Sequence, residues 1–172
     1  SGNLLQGVLL QDAGTRSNWI QGNLIGLNAA GNAAMANGYS GVEIYNGPVG
    51  NLVGGVGGRN FISGNGNYGI AIDTGAAASV VQGNTIGLNI SHTVAIPNGY
   101  TGVGLYNGAV SNLIGGVTVG AANLISGGLS DGIQLYDATT TNNSVRGNSI
   151  FSNAGVGIAL YSTANRNQSA PT

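Results

Sequence analysis

The sequence has no cysteine, only three prolines and very few charged residues, which make up 5% of its 172 residues. Without cysteine no disulfide can stabilise the fold, so its stability has to come from packing. All four cationic residues are arginine and the formal net charge is −1, so the sequence offers no basic stripe for nucleic acid. No run of about 18 apolar residues occurs that could span a membrane. We therefore expect neither a nucleic-acid partner nor membrane insertion.

Glycine and short apolar segments dominate what is present. There are 33 glycines, and 42% of the chain is hydrophobic. The glycines do not fall at every third position, which excludes collagen, and the apolar content argues against disorder. Two phrases recur about every 30 residues, a period typical of solenoid repeats. They are Gly-(Val/Ile)-x-(Ile/Leu), as at 41–44 and 132–135, and Asn-x-Ile, as at 23–25 and 84–86.

A third apolar segment, for example 51–53, lies between the two phrases of each repeat. Each segment alternates with period two between glycine, asparagine or serine corners, which predicts three short strands per repeat. One repeat cannot bury its apolar face alone and must stack on the next. The sequence thus predicts an all-β fold, a single-stranded parallel β-helix (solenoid) of five to six coils, with residues 1–172 as one domain. Because residues 1–3 match a repeat end at 63–65, we expect a segment or protomer of a longer array.

Equivalent positions of successive coils are predicted to stack into ladders. β-Branched and leucine residues face inward in all three strands. The inward ladder of the Asn-x-Ile strand is Ile25, Ile62, Ile86, Ile125 and Ile150. The asparagines of the same phrase form a polar ladder, in which each amide donates to one neighbouring coil and accepts from the other: Asn23, Asn60, Asn84, Asn123 and Asn148. Two longer loops, at 29–39 and 90–100, fall two coils apart on the same side of the rod.

Several of these repeats carry a family resemblance. They are the Asn-Leu-(Val/Ile)-Gly-Gly segments at 51–55 and 112–116, the Asn-(Phe/Leu)-Ile-Ser-Gly segments at 60–64 and 123–127, the segment at 81–89 and the closing 165–171. The chain resembles the right-handed parallel β-helix repeats of large secreted or cell-surface bacterial proteins, within the pectate-lyase-like architecture. The resemblance implies a right-handed helix and an extracellular location. In that family such arrays form stalks, adhesins or fibres as often as enzymes.

An enzyme of this architecture would need carboxylates. The sequence has five: Asp12, Glu43, Asp73, Asp131 and Asp137. Glu43 and Asp73 are predicted on adjacent coils with their backbones roughly 8 Å apart, within the range of inverting glycosidases, but nothing cationic or aromatic obviously frames them. The family's lyases carry an arginine or lysine base beside calcium-binding aspartates, and neither occurs here. We expect solvated carboxylates, no catalytic residue, no metal and no cofactor.

Two further features are interpreted as surface. His92, the only histidine, lies in the second long loop and is predicted to be solvated. Several apolar residues beside the ladders face outward, and we predict that the long loops cover them rather than that they form a partner surface. They are Trp19, Leu24, Leu52, Phe61, Val80, Leu113 and Leu124.

A column of tyrosines is the candidate ligand site. The residue after the first strand of a coil is tyrosine four times, at Tyr45, Tyr106, Tyr136 and Tyr161. Such rings could stack on sugars, because each has an apolar face and a polar hydroxyl. The other interpretation is that they cap the strand corners and stiffen the rod.

The predicted function is structural: a stiff extracellular fibre, stalk or adhesin segment. The terminal coils would leave unpaired strand edges, with only Pro171 and a polar tail after the last repeat. End-to-end self-association of protomers is therefore expected. The alternative is a carbohydrate-binding or polysaccharide-processing module, whose partner would be a polysaccharide held by the tyrosine column.

Overall fold

The computed structural model describes residues 1–167, with Arg166 and Asn167 described by their backbone alone. It contains sixteen short strands and one 3-10 helix, Ala164–Asn167. Residues 168–172, which include Pro171, lie outside the described residues. The strands form three parallel sheets, each of which takes one strand from every coil it crosses. The predicted all-β solenoid with three strands per coil is confirmed.

The first sheet has six strands and the other two have five each. The first comprises β1 (Val8–Gln11), β4 (Val42–Tyr45), β7 (Ile70–Ile72), β10 (Val103–Leu105), β13 (Ile133–Tyr136) and β16 (Ile158–Tyr161). The second comprises β2 (Trp19–Ile20), β5 (Leu52–Gly54), β8 (Val80–Gln82), β11 (Leu113–Gly115) and β14 (Ser144–Arg146). The third comprises β3 (Leu24–Ile25), β6 (Phe61–Ile62), β9 (Thr85–Ile86), β12 (Leu124–Ser126) and β15 (Ser149–Phe151).

The three sheets enclose a core of stacked aliphatic side chains. The predicted isoleucine ladder of the third sheet is in register from coil to coil: Ile25, Ile62, Ile86, Ile125 and Ile150. Its first four members are buried, and the last is partly buried. The first sheet adds an inward ladder that the sequence analysis did not single out: Leu10, Ile44, Ile72, Leu105, Leu135 and Leu160. Interior side chains therefore pack between similar neighbours above and below, at the density expected of a protein core.

The predicted asparagine ladder is also confirmed. Asn60 Nδ2 donates to Asn84 Oδ1 at 3.0 Å, and Asn84 Nδ2 donates in turn to Asn123 Oδ1 at 3.0 Å. Asn84 Nδ2 also donates to the main-chain oxygen of Val53 at 2.9 Å. These bonds satisfy amides that lie at a corner with almost no access to water.

Two more asparagine ladders run along the other corners. One joins Asn18 to Asn51 and, beyond Ser79, Asn112 to Asn143 and Asn165. The other joins Asn3, Asn37, Asn65 and Asn98. Ser79 interrupts the first of these because its hydroxyl is too short to replace the amide, although its backbone N–H still donates to Asn112 Oδ1. A ladder of hydrogen-bonded asparagine side chains therefore occurs at all three corners of the described coils.

Glycine is required where a strand turns into a corner close to the next coil. Gly54 has a φ of 85°, and a Cβ at this position would overlap the main-chain oxygen of Gln82. Gly87 has the same φ of 85°, with the oxygen of Ser126 in the same place. Both the backbone angle and the close approach of the coils demand a residue without a side chain.

The two long loops stack directly on each other. Each folds back through one antiparallel bridge, Leu27 with Ala34 and Leu88 with Ala95. Ile90 N donates to Gly31 O at 3.1 Å, so the loops meet across the shorter coil that separates them in sequence. Their predicted placement on one side of the rod is confirmed.

Two expectations about the surface were wrong. Trp19 is 73% exposed, because it lies on the second sheet whereas the long loops extend from the third. The last coil is also followed by more than a polar tail. The 3-10 helix places Asn165 on the second asparagine ladder, where its Oδ1 accepts from Asn143 N at 3.0 Å and its Nδ2 donates to Asn143 O at 2.8 Å.

Candidate functional site

The candidate site lies on the outward face of the first sheet. Its middle column runs in register through Leu9, Glu43, Ala71, Gly104, Gln134 and Ala159. The last four of these are buried although they point away from the core. Small residues at Ala71 and Gly104 leave room above the sheet, and aromatic rings fill it.

Tyr68 lies flat on the sheet at this point. A Cβ on Gly104 would overlap the Tyr68 ring, so the glycine is what lets the ring approach the strand. The ring centroid of Tyr68 is 5.5 Å from that of Tyr106 in a stacked arrangement and 5.2 Å from that of Tyr100 in an edge-to-face one. Both geometries are favourable for aromatic pairs, so the three rings form one rigid cluster.

The cluster forms one wall of an open groove of about 320 Å³. The groove is lined by Tyr68, Tyr100, Tyr106, Asn107, Gln134 and Tyr136. Thr101 Oγ1 donates to Gln134 Oε1 at 3.3 Å, which holds the glutamine amide in the groove floor. An aromatic wall with a few fixed amides is the usual composition of a small-ligand site.

The structure separates the four tyrosines of the predicted column. Tyr106 and Tyr136 line the groove. The Tyr161 ring is 6.4 Å from that of Tyr136, and its hydroxyl donates to Asp131 Oδ2 at 3.2 Å. Tyr45 is 38% exposed and does not line the groove. The equivalent position on the next coil is Asp73, so this residue separates Tyr45 from the tyrosines of the later coils.

Two groove tyrosines were missed. Tyr68 and Tyr100 come just before the first strand of their coils, so they approach the sheet from the opposite end to the predicted column. The usable signal was the outward glycine at Gly104, since a glycine in a strand often marks close approach by another group. The sequence analysis compared the residues that come after the first strand of each coil and not those that come before it.

The predicted solvation of the carboxylates was wrong for two of them. Asp73 is only 4% exposed, and within the described part of the chain its Oδ1 has no hydrogen-bond partner. Asp131 is equally buried, and its Oδ1 accepts from Val156 N at 2.8 Å. Glu43 does lie one coil before Asp73 and two positions along the strand, as predicted, and accepts from Gln6 Nε2 at 2.5 Å.

The carboxylate and the phenols of the cluster perturb one another. Burial raises the pKa of Asp73, and the hydroxyls of Tyr106 and Thr74 oppose this shift only in part. Burial, and after it the charges of Tyr100 and Asp73, raise the pKa of Tyr68 to about 12. Burial and Asp73 raise the pKa of Tyr106 as well. The phenols of Tyr68 and Tyr106 therefore remain protonated near neutral pH and can donate hydrogen bonds.

A known protein family has this architecture. The sequence model of that family, described as the right-handed β-helix region, matches residues 1–170 of the chain. This chain belongs to the right-handed β-helix family. Its membership confirms the expected family and the handedness of the coil. No curated protein and no solved structure matches the chain. Because this fold occurs in enzymes and in proteins without catalytic activity, the family alone does not decide the function.

Within residues 1–167 of this β-helix, no three acidic, histidine or cysteine side chains gather closely enough to hold a metal ion. His92 is exposed, as predicted. Its Nε2 lies 3.2 Å from Thr85 Oγ1 and its ring centroid 5.7 Å from that of Phe61, so it fastens the second long loop over part of the third sheet. Burial and then the charge of Arg59 lower the His92 pKa.

In the described part of the β-helix, no helix is long and apolar enough to cross a membrane.

Proposed function

We propose that this β-helix is a structural module without catalytic activity, a stiff stalk, fibre or adhesin segment of a secreted or cell-surface protein. The observation that carries the proposal is the presence of asparagine ladders at all three corners around a continuous aliphatic core. Opening an interior rung would break polar and apolar contacts with two neighbours at once. Such a rod unfolds slowly, which suits a protein exposed to proteases and shear.

The outermost coils support end-to-end association as part of this proposal. Val8 and Leu10 of β1 are only partly buried, whereas Val42 and Ile44 of the next coil are fully buried. The last strand is similar, because Ile158 and Leu160 are also partly buried. A further coil on either side would cover these side chains and pair the open strand edges.

Electron microscopy and sedimentation of the purified protein test the association. We expect filaments whose sedimentation increases with protein concentration. Leu10→Lys should suppress them by placing a charge on the terminal rung, and Val94→Lys, on an exposed loop position, should not. Discrete particles at every concentration, or equal effects of the two variants, would contradict end-to-end packing. Antibody labelling of intact source cells tests the extracellular location.

A second candidate function is carbohydrate binding in the tyrosine groove. The specific observation is that four tyrosine rings converge on one groove and that two of them, Tyr100 and Tyr136, remain 40% and 48% exposed. Rings that only stiffened the rod would have no need to line an open groove. Their apolar faces would stack on pyranose rings, and their hydroxyls would bond to sugar hydroxyls.

A glycan array compares Tyr136→Ala with Tyr45→Ala as a matched control. Each is the last residue of a strand of the first sheet and the two have similar exposure, but only Tyr136 lines the groove. We expect Tyr136→Ala to abolish the array signal and Tyr45→Ala to preserve it. Loss in neither variant, or in both, argues against the groove. A reducing-sugar assay on any bound polysaccharide separates binding from processing.

A further inference from the structure

We propose that the tyrosine groove selects an uncharged linear polysaccharide, laid along the axis of the rod, and rejects chains that carry uronate carboxylates. The inference rests on the carbohydrate-binding proposal and deepens it by naming the class of ligand. It follows from the charges around the groove, from its polar floor and from the spacing of its rings.

Among the side chains that the structure describes, no cationic residue lines the groove. The arginine side chains that the structure describes lie on other parts of the coil. Arg16 is at the corner after the first sheet, Arg146 is in β14 of the second sheet, and Arg59 Nε donates to Gly83 O beside the third. A uronate carboxylate in the groove would therefore find no ion-pair partner, although proteins commonly recognise carboxylates through arginine.

The charges that do lie near the groove are negative. Asp73 lies near Tyr68 and Tyr106, because besides burial its charge raises the pKa of both phenols, and its buried Oδ1 lacks a hydrogen-bond partner in residues 1–167. Asp137 Oδ2 accepts from the backbone N of Asn107, a lining residue, at 2.5 Å. A carboxylate of a ligand would be repelled by both of these side chains, and the partly desolvated surroundings strengthen the repulsion.

The polar groups of the groove suit hydroxyls instead. Thr101 occupies Oε1 of Gln134, so the glutamine presents its Nε2 hydrogens to a ligand. The phenol of Tyr68 is protonated and can donate or accept, whereas the Tyr106 hydroxyl bonds to Asp73 and accepts from a ligand. Sugar hydroxyls also donate and accept, so they can satisfy both kinds of group without bringing a charge into the site.

The arrangement of rings sets the direction of the chain. Tyr106 and Tyr136 follow the same position of adjacent strands, and neighbouring strands of a sheet are roughly 4.8 Å apart. This step is close to the length of one pyranose unit, so consecutive sugars of a linear chain can meet consecutive rings. A chain that crossed the strands at right angles to the axis would meet only one.

The test uses one polysaccharide in an uncharged and an anionic form. Affinity electrophoresis compares fully methyl-esterified with de-esterified polygalacturonate, together with neutral glucans, xylans and galactans. We expect at least one neutral chain to bind and every uronate chain to bind at least tenfold more weakly. Tyr136→Ala should remove the neutral binding, whereas Tyr45→Ala should keep it.

A charge-gain variant tests the reason. Asn107→Lys adds a cation to the groove at an exposed position, and circular dichroism checks that the coil is intact. We expect it to raise the affinity for de-esterified polygalacturonate at least tenfold at low salt. No change would overturn the electrostatic argument.

The outcomes separate the inference from the proposal on which it rests. Binding that requires Tyr136 but favours the de-esterified polygalacturonate overturns the uncharged class and leaves the groove as a carbohydrate site. Absence of binding to every glycan, or binding that ignores Tyr136→Ala, overturns the carbohydrate-binding proposal itself.

Discussion

Removing one interior amide should show how much the asparagine ladders contribute to stability. In Asn84→Ala, the backbone N–H and Nδ2 of Asn60 lose their common acceptor, and the Val53 oxygen loses a donor. Asn84 is 1% exposed, so water cannot replace the amide. A buried polar group left without a partner costs about 1–3 kcal/mol, so the two donors of Asn60 alone give an expected loss of about 2–6 kcal/mol in the free energy of unfolding.

Asn23→Ala is the matched control, because it removes the same chemical group from the exposed end of the same ladder. Asn60 Oδ1 loses the Asn23 Nδ2 bond but still accepts from the Asn23 backbone N–H at 3.0 Å. Water reaches the rest of the site, so the expected loss is about 0.5–1 kcal/mol.

Urea unfolding followed by far-ultraviolet circular dichroism measures both losses. Hydrogen exchange adds a local measurement, since the Asn60 amide should lose protection in Asn84→Ala well before the global transition. Equal losses in the two variants, or a loss below about 1 kcal/mol for Asn84→Ala, would refute the claim that the ladder is a buried, mutually satisfied network.

Three further predictions concern the core, a gap in a ladder and the buried carboxylate. Ile86→Ala should lower the free energy of unfolding by about 2–5 kcal/mol, because it opens a cavity between fully packed rungs; a loss within urea-titration error would contradict the ladder packing. Ser79→Asn should raise it by about 1 kcal/mol by giving the Asn51 N–H an acceptor; a lower unfolding midpoint would mean that the corner has no room for the amide. Burial raises the Asp73 pKa, so the folded state binds this proton more tightly, and stability should fall as the pH rises from the ordinary carboxyl pKa through the raised one. Asp73→Asn should remove this fall in urea titrations at stepped pH, and an unchanged pH profile would refute the assignment. Asp137→Asn is the contrasting control. Burial acts to raise the Asp137 pKa, but hydrogen bonds from Thr139, Asn107 and Thr140 together outweigh it and lower the pKa, so the stabilisation from this carboxylate is present above the ordinary pKa and is lost as the pH falls through the lowered one.

The coil architecture could be predicted because the determinants of a solenoid repeat along the chain. An inward isoleucine such as Ile86 occurs at the same place in each repeat, next to an asparagine that closes the corner. Each copy supports the interpretation of the others, so even two-residue strands such as β9 were recognisable. Comparison of the repeats also predicted the register of the strands and one of the three asparagine ladders.

The groove could be predicted only in part, because it depends on contacts that do not repeat. The Tyr68 ring can approach the strand that contains Gly104 because Gly104 has no side chain, and within residues 1–167 no other glycine has a tyrosine ring against it in this way. The burial of Asp73 has the same origin, since neighbouring tyrosines cover a residue whose position at a strand end suggested solvent. Sequence periodicity reports what the coils share, whereas this site is made by what distinguishes one coil from the next.

The asparagine ladders also give the rod a direction. In each bond between two asparagine side chains of successive coils, the earlier amide donates and the later one accepts, as from Asn23 to Asn60 and from Asn112 to Asn143. The amide dipoles of all three corners therefore add along the axis, with oxygens facing the first coil and hydrogens facing the last. Two arrays meeting first coil to last would place hydrogens against oxygens, whereas first coil to first would oppose oxygens. Any filament built by continuing these ladders would be polar, with two chemically different tips and one favoured sense of growth.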